Sequence, residues 1–519
     1  MKRLVRFFGR TRCAVLLLTI LILMTSCASG DGTQKKYAST LEAESNFLTT
    51  TGLLNPDSEI RGVWIATVGN INYPSKKGLS AAKLKAELDA IVENCSELGI
   101  NTIFFQVRPA ADALYRSELF PSSEFVSGEQ GKAPEGNFDS LAYLIEIANA
   151  QKINVHAWVN PLRVTYGSVK YPKTDVSALA EGHIARKNPD WVIAYDDGKL
   201  YFDAGNPAVR EYIALGVKEI VENYAVDGVV FDDYFYPYPT KTDGVYAVFD
   251  DDASYSAYGN GAERDDWRRD NINKLVKACY DTVKNINKEC LFGISPFGIW
   301  RNGEGGSDGS ATAGLEAYES LYCDAISWAE GGYVDYLAPQ LYWRFITKVA
   351  SYGVLSDWWN SMLDGTGVKL LISHAAYMYE EWETPAGELT SQIEYSREAL
   401  AYRGSVLYGY AAITADAENI KSEISELFSD EIIYSDPTTN FKKLYLLGIS
   451  DGMTTSDISL TVSGRSDPSL SLEVNGERVN RNKDGSFTIE LSLLVGENRF
   501  VFKCGEDMIS YTVTRTKKN

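Results

Sequence analysis

Eight short apolar runs recur along the chain, each followed by a longer stretch with helical spacing, and that alternation leaves very few folds open. The runs are 61–67 (RGVWIAT), 102–107 (TIFFQV), 154–159 (NVHAWV), 228–232 (GVVFD), 291–296 (LFGISP), 336–342 (YLAPQLY), 369–373 (KLLIS) and 406–411 (VLYGYA). Runs this continuously apolar read as strands buried on both faces, and therefore as a parallel sheet covered by helices. Between them, 81–98 (AAKLKAELDAIVENCSEL) has a clear helical period that Gly99 ends as a C′ glycine. Asn206-Pro207 reads as an N-cap followed by a proline in the first helical position. Eight such repeats over roughly 370 residues predict an α/β fold, a (β/α)8 TIM barrel with enlarged loops. A Rossmann sheet would want G-x-G-x-x-G after the first strand, and none stands there.

The texture changes after Asp436-Pro437. Residues 459–515 alternate polar and apolar, with turn signals at Asn475-Gly476, Asp484-Gly485, Gly496 and Gly505. These predict hairpins of a small all-β, Ig-like sandwich, with Phe487, Phe500, Phe502 and Tyr511 at core-like positions. A structural role for it is favoured over glycan binding.

The N-terminus reads as an address. Lys2, Arg3, Arg6, Arg10 and Arg12 precede an uncharged apolar run from Ala14 to Met24. As a helix that run rises only about 16 Å, short of the ~30 Å of a bilayer core, so it is a signal-peptide h-region rather than a span. The sequence Leu23-Met24-Thr25-Ser26-Cys27 resembles a bacterial lipobox, which makes Cys27 the expected lipidation site; ordinary secretion with cleavage nearby is the alternative. The expected organisation is a leader over 1–26, a polar tether over 27–57, a barrel over 58–435 and a β-sandwich over 438–519. The expected location is extracytoplasmic, with the membrane met only through the N-terminal lipid.

Composition excludes several classes of function. The net charge of −20 becomes −25 once the leader's five positive charges leave, which argues against a nucleic-acid partner. Five cysteines follow Cys27 (Cys95, Cys279, Cys290, Cys323 and Cys504); an odd number without a C-x-x-C pair points to buried thiols. The three histidines show no metal-ligand spacing, and neither a G-x-S-x-G elbow nor a Walker loop is present. No metal and no cofactor are expected, and the chain is expected to be a monomer. Aromatics are abundant at 12%, with 32 Tyr and 10 Trp, a surplus that either lines carbohydrate sites or fills cores.

In a barrel of this kind the chemistry lies at the C-terminal strand ends. Those ends carry Gln106 and Arg108 with Asp112 beyond, then His156, Trp158, Asn160 and Arg163. The next carry Asp232, Asp233, Tyr234 and Tyr236, then Ser295 and Phe297, then Gln340, Tyr342, Trp343 and Arg344. The last two add His374, Tyr377 and Tyr408. Aromatic faces stack on the C–H face of a sugar while amides and carboxylates pair with its hydroxyls. The bland alternative for each is packing or capping at a strand end; for His156 the two readings balance, and for Trp158 and Tyr408 packing is favoured.

Asp227-Gly-Val-Val-Phe-Asp232-Asp233-Tyr234 is the sharpest signal. Alternation puts Gly228, Val230 and Asp232 on one face and Val229, Phe231 and Asp233 on the other. Phe231 suits the helix layer, so Asp232 should point into the barrel mouth, and Asp233 starts the loop. Glycoside hydrolysis normally needs two carboxyl groups. Asp112, Glu304, Asp308, Glu380 and Asp416 are further candidates for the second, and spacing does not choose among them.

These landmarks, with Q-V-R-P-A-A-D-A-L-Y, H-A-W-V-N-P-L-R, I-S-P-F-G-I-W-R, G-S-A-T-A-G-L and D-Y-L-A-P-Q-L-Y-W, resemble the family 10 glycosyl-hydrolase-like proteins, which include the bacterial DigH-type lipoproteins. The resemblance runs from about Glu59 to Ala411. It implies a TIM barrel, secretion or a lipid anchor, and action on envelope glycan; DigH-type members cleave peptidoglycan strands stripped of their stem peptides. It would carry Asp232 and Asp233 into the catalytic or glycan-contacting role and make Arg108, Asn160, Gln340, Tyr342 and Trp343 groove contacts. His156, Trp158, Arg163, Tyr234 and Tyr236 complete the expected substrate-binding set. The expected function is a glycosidase on envelope polysaccharide. A non-catalytic glycan-binding lipoprotein, and a glycosidase for some other polysaccharide, are the alternatives.

Overall fold

The computed structural model describes residues 58–517 except 243, 382–383, 385, 417–418, 431, 433, 435–443, 468–469, 482–484 and 506. The expected leader, Cys27 and the tether lie outside the described residues, as do Asp436 and Pro437.

The eight apolar runs become eight strands: β1 (Ile60–Ile65), β2 (Thr102–Arg108), β3 (Asn154–Val159), β4 (Gly228–Phe231), β5 (Leu291–Ile294), β6 (Tyr336–Leu337), β7 (Lys369–Ala375) and β8 (Tyr402–Tyr408). Each pairs in parallel with the next, and β8 returns to β1 in the register Ile60–Gly404 to Val63–Leu407, so the sheet closes. The principal helix after each strand is α1 (Ala81–Glu97), α2 (Ser140–Ala150), α3 (Pro207–Asn223), α4 (Arg264–Ile286), α5 (Ala325–Gly331), α6 (Tyr352–Leu363), α7 (Glu388–Arg397) and α8 (Ile420–Leu427). The chain is a TIM barrel.

Local sequence explains the boundaries. Ser80 caps α1 by accepting from the Lys83 N–H, and Gly99 beyond its end has φ +70°. Asn206 accepts from the Ala208 N–H at the start of α3, with Pro207 in the first turn. The run at 336–342 yields a strand of only two residues, because Pro339 has no N–H for the ladder; Gln340 resumes contact through single bridges to Phe297 and Ser373.

Strand alternation sorts the core into two layers. Val229, Phe231, Phe292 and Ile294 face the helices. Trp64, Phe104, Trp158, Val230, Tyr336, Leu371 and Val406 fill the barrel interior. At the bottom Glu59, almost fully buried, accepts from Arg397 Nε (2.7 Å) and Nη2 (2.8 Å) and from Arg61 Nε (3.2 Å), tying β1 to α7. The five described cysteines are unpaired and buried.

The C-terminal residues form two sheets around one apolar core. One holds Leu444–Leu447, Ser459–Ser466 and Ser486–Ser492; the other centres on the hairpin Gly496–Cys504 and Asp507–Arg515, extended by Leu472–Val474. Val462, Phe487, Phe500, Phe502 and Val513 fill the core, and Tyr511 packs against it half-buried. Asn475 (φ +51°) and Gly476 (φ +84°) make the two-residue turn their sequence predicts. Pairing is antiparallel except where Thr454–Thr455 runs parallel to Thr514 and Arg515. The sandwich docks on the helical jacket: fully buried Arg465 donates from Nη2 to Asp357 Oδ1 on α6 (2.5 Å) and lies over the Tyr395 ring of α7 (5.3 Å).

Candidate active site

A cavity of about 910 Å³ opens at the C-terminal ends of the strands, and Asp232 and Asp233 both line it. Phe231 packs outward onto Phe292 (5.2 Å between centroids), so the next side chain, Asp232, turns inward above Val230. Asp232 Oδ2 accepts from Trp158 Nε1 (2.9 Å) and Asn160 Nδ2 (3.2 Å), and Oδ1 faces the Tyr234 N–H at 3.5 Å. Asp233 Oδ1 accepts from Gln340 Nε2 (3.1 Å), and its Oδ2 accepts a short hydrogen bond from the Tyr238 hydroxyl.

Both carboxyl groups are buried, which makes their charged forms costly. Burial raises Asp232 to about 7, opposed by the Arg163 guanidinium and reinforced by the charge of Asp233. Burial also raises Asp233, opposed by the bonds from Tyr238 and Gln340. Arg163 is anchored by donating from Nε (3.0 Å) and Nη2 (2.7 Å) to the Pro109 carbonyl, and it lies over the Tyr234 ring (5.1 Å).

The walls are aromatic. Tyr342 stacks on Tyr408 (5.8 Å, 17° between planes), with Tyr377 edge-on to both. Trp343 meets Phe297 edge-on (5.6 Å), and Tyr238 meets Phe297 in turn. Of the expected set, Trp158, Arg163, Tyr234, Gln340, Tyr342 and Trp343 line the cavity with the two aspartates.

Four expected contacts stand elsewhere. Arg108 points out of the barrel: the pairing of β2 with β3 shifts register between Gln106 and Arg108, which turns the guanidinium into the helix layer over Phe120 (4.0 Å). Gly216 on α3 makes the room for it. His156 lies in the barrel interior beneath the site, sharing a 2.9 Å hydrogen bond between Nδ1 and the Tyr336 hydroxyl, and burial lowers it to about 3. Tyr236 faces away from the cavity onto Tyr322 (4.8 Å) and Phe249 (5.2 Å). Asn160 sits behind the wall, holding Asp232 through Nδ2 and accepting the Arg163 N–H (2.9 Å).

The other carboxylate candidates separate as clearly. Asp112 is buried beside a smaller cavity of about 210 Å³, and Glu304, Asp308 and Asp416 are exposed loop residues outside the cleft lining. The Glu380 side chain lies outside the described residues. Among the described residues the carboxylates in the cleft are therefore Asp232 and Asp233.

Trp64, Tyr166 and Tyr238 also line the cleft and were not singled out by sequence. Trp64 sits on the inward face of β1, donating from Nε1 to Ser373 Oγ (3.2 Å), and inward alternation in 61–67 was the signal available for it. Tyr238 belongs to the aromatic run after Asp233, two residues beyond Tyr236.

A closed barrel with paired acids and an aromatic trough at its C-terminal mouth defines the class: an α/β-barrel glycosidase. The chain belongs to the glycosyl hydrolase-like 10 family, whose model matches residues 59–384. It is 41% identical over 382 residues to the glycosyl hydrolase YngK of Bacillus subtilis, covering 72% of each chain. It is 32% identical over 418 residues to the glycosyl hydrolase DigH of Escherichia coli K12, covering 76% of this chain and 92% of that one.

Proposed function

We propose that the protein hydrolyses glycosidic bonds in a cell-envelope polysaccharide, namely the glycan strands of peptidoglycan, from a lipid tether at Cys27 outside the cytoplasm. The observation that carries the reading is the pair Asp232–Asp233 on the floor of an aromatic trough large enough for sugar units. The resemblance to DigH-type proteins supports the choice of glycan, and the lipobox-like Leu23–Cys27 segment supports the tether.

Asp232 serves as the proton donor. Its carboxyl holds a proton near neutral pH, and Oδ1 is the less engaged of its two oxygens. The proton passes to the glycosidic oxygen as the bond from that oxygen to the anomeric carbon breaks. Asp233, held as an acceptor by Gln340 and Tyr238, opposes the positive charge that develops on the ring. Water then adds to the anomeric carbon and returns a proton to Asp232. Tyr342, Tyr408 and Trp343 supply faces for the pyranose rings.

The test uses purified glycan strands freed of peptide, with reducing ends counted as they appear. Asp232→Asn should lower turnover by about 10²–10⁴-fold, while the variant still retains the strands. Full turnover by a folded Asp232→Asn variant removes Asp232 from the mechanism. Retention of strands without release of ends by the unaltered protein makes it a glycan-binding lipoprotein instead. For the tether, Cys27→Ser should abolish incorporation of radiolabelled palmitate; labelling that persists refutes anchoring at Cys27.

A further inference from the structure

A second concavity of about 530 Å³ lies beside the cleft, lined by Tyr195, Tyr236, Tyr246, Phe249, Tyr322 and Arg268 among others. The two share one segment of chain as a wall. In the loop after β4, Tyr234 and Tyr238 wall the cleft, while Tyr236, Pro237 and Pro239 wall the second cavity.

Its chemistry narrows the occupant. Arg268 is compensated: Nε and Nη2 each donate to Asp251 at 2.7 Å, and Nη1 donates to the Tyr322 hydroxyl at 2.7 Å. Glu319 at the rim is answered by Arg269 (3.7 Å) and Arg301 (3.3 Å). A cavity whose charges are already paired does not select an anion or a cation. Aromatic faces beside paired polar groups suit an uncharged sugar ring of the glycan chain, with hydroxyls on its edges and C–H groups on its faces, the lactyl carboxylates that peptide removal leaves on alternate rings staying in solvent. Tyr246, 61% exposed, lines the cavity, and its sequence neighbours Val245 (71%) and Val248 (75%) are exposed too. Exposed apolar residues gathered at one place mark a contact surface.

We propose that this cavity is a distal subsite for the same glycan chain, so that the enzyme engages the interior of long strands. The proposal rests on the reading of the cleft as a glycan-hydrolysing site. Tyr236 then has a glycan-facing place after all, in this cavity rather than over the reacting bond.

The experiment compares two probes: peptide-free glycan strands of long, narrow size range, and fragments of two disaccharide units. Two variants act only on the second cavity. Tyr246→Ala removes an exposed wall, and Ser320→Trp fills the space from a lining position. Each should lower kcat/KM on long strands by about tenfold, with turnover of the short fragments within about twofold of the unaltered protein. That short-fragment turnover also reports on folding. Equal effects on both probes, or no effect on either, overturn the distal subsite and leave the reading of the cleft intact. Failure of the unaltered protein to cleave either probe overturns that reading and this one with it.

Discussion

Burial keeps a proton on the Asp232 carboxyl to about pH 7, against an ordinary value of 3.8, so the group is ready to act as an acid at neutral pH. Two consequences follow with opposite signs. Catalysis needs the protonated form, so kcat/KM on glycan strands should fall as pH rises through about 7, and Asp232→Asn should erase that limb along with the activity. Stability runs the other way. The native carboxyl holds its proton more tightly than the unfolded one, so folding is penalised progressively between pH 4 and 7 and fully above it. Asp232→Asn should therefore melt higher than the unaltered protein at pH 8, by roughly 4 kcal/mol at most, and the gain should vanish near pH 3. A calorimetric series at pH 3, 5 and 8 checks this; a gain that does not depend on pH contradicts it. At this scale the sequence revealed the direction of Asp232, because alternation about Phe231 fixes it. It misplaced Arg108 because a register shift between two strands leaves no mark in either strand's own residues.

The strands obey a rule that links sequence to the floor of the site: a glycine on one strand makes room for a large ring on its neighbour. Gly228 on β4 stands opposite His156 on β3, and Gly293 on β5 stands opposite Tyr336 on β6. A Cβ at Gly228 would lie 2.6 Å from the His156 ring, and one at Gly293 would overlap the Tyr336 ring. Gly228→Ala should therefore cost about 1–3 kcal/mol through overpacking, read as a lower urea midpoint at unchanged slope. Combined with His156→Ala the cost should fall well below the sum of the two single changes, since the smaller side chain vacates the space. Strict additivity would show that the ring does not press on that glycine. The same pairing decides between the two readings that balanced for His156. It ends up as filling, two residues below Trp158, which does reach the cleft. Seven strands were legible as continuous apolar runs; of β8 only the end was, because Arg403, Gly404 and Ser405 interrupt its first half and the run read at 406–411 continues into a helical turn. The two-residue extent of β6 was not legible, although Pro339 carried the reason.

Across the whole molecule the site depends on loops that the barrel holds in place, while the C-terminal sandwich grips the opposite layer, the helices. No described residue beyond Tyr408 lines the cleft. The hairpins of this module could be read from its turn residues, but its docking could not, since Arg465 gives no local sign that it will be buried against Asp357 108 positions away. The contact is a buried ion pair in which Asp357 also accepts from the Tyr395 hydroxyl (2.7 Å). Removing one side of a buried ion pair is destabilising, so Arg465→Met should cost about 3–5 kcal/mol. Replacing both, as Arg465→Met with Asp357→Asn, removes the carboxylate together with its guanidinium yet leaves an acceptor for Tyr395, and should recover most of that loss. Calorimetry distinguishes how the cost is borne. If the sandwich and barrel melt as one cooperative unit, the single variant lowers one transition. If the pair is what couples them, Arg465→Met splits the transition in two and the double variant leaves it split, because the mutual attraction is absent in both. A cost below about 1 kcal/mol in the single variant would mean that the ion pair does not hold the sandwich to the helices, and that the apolar contacts around it do.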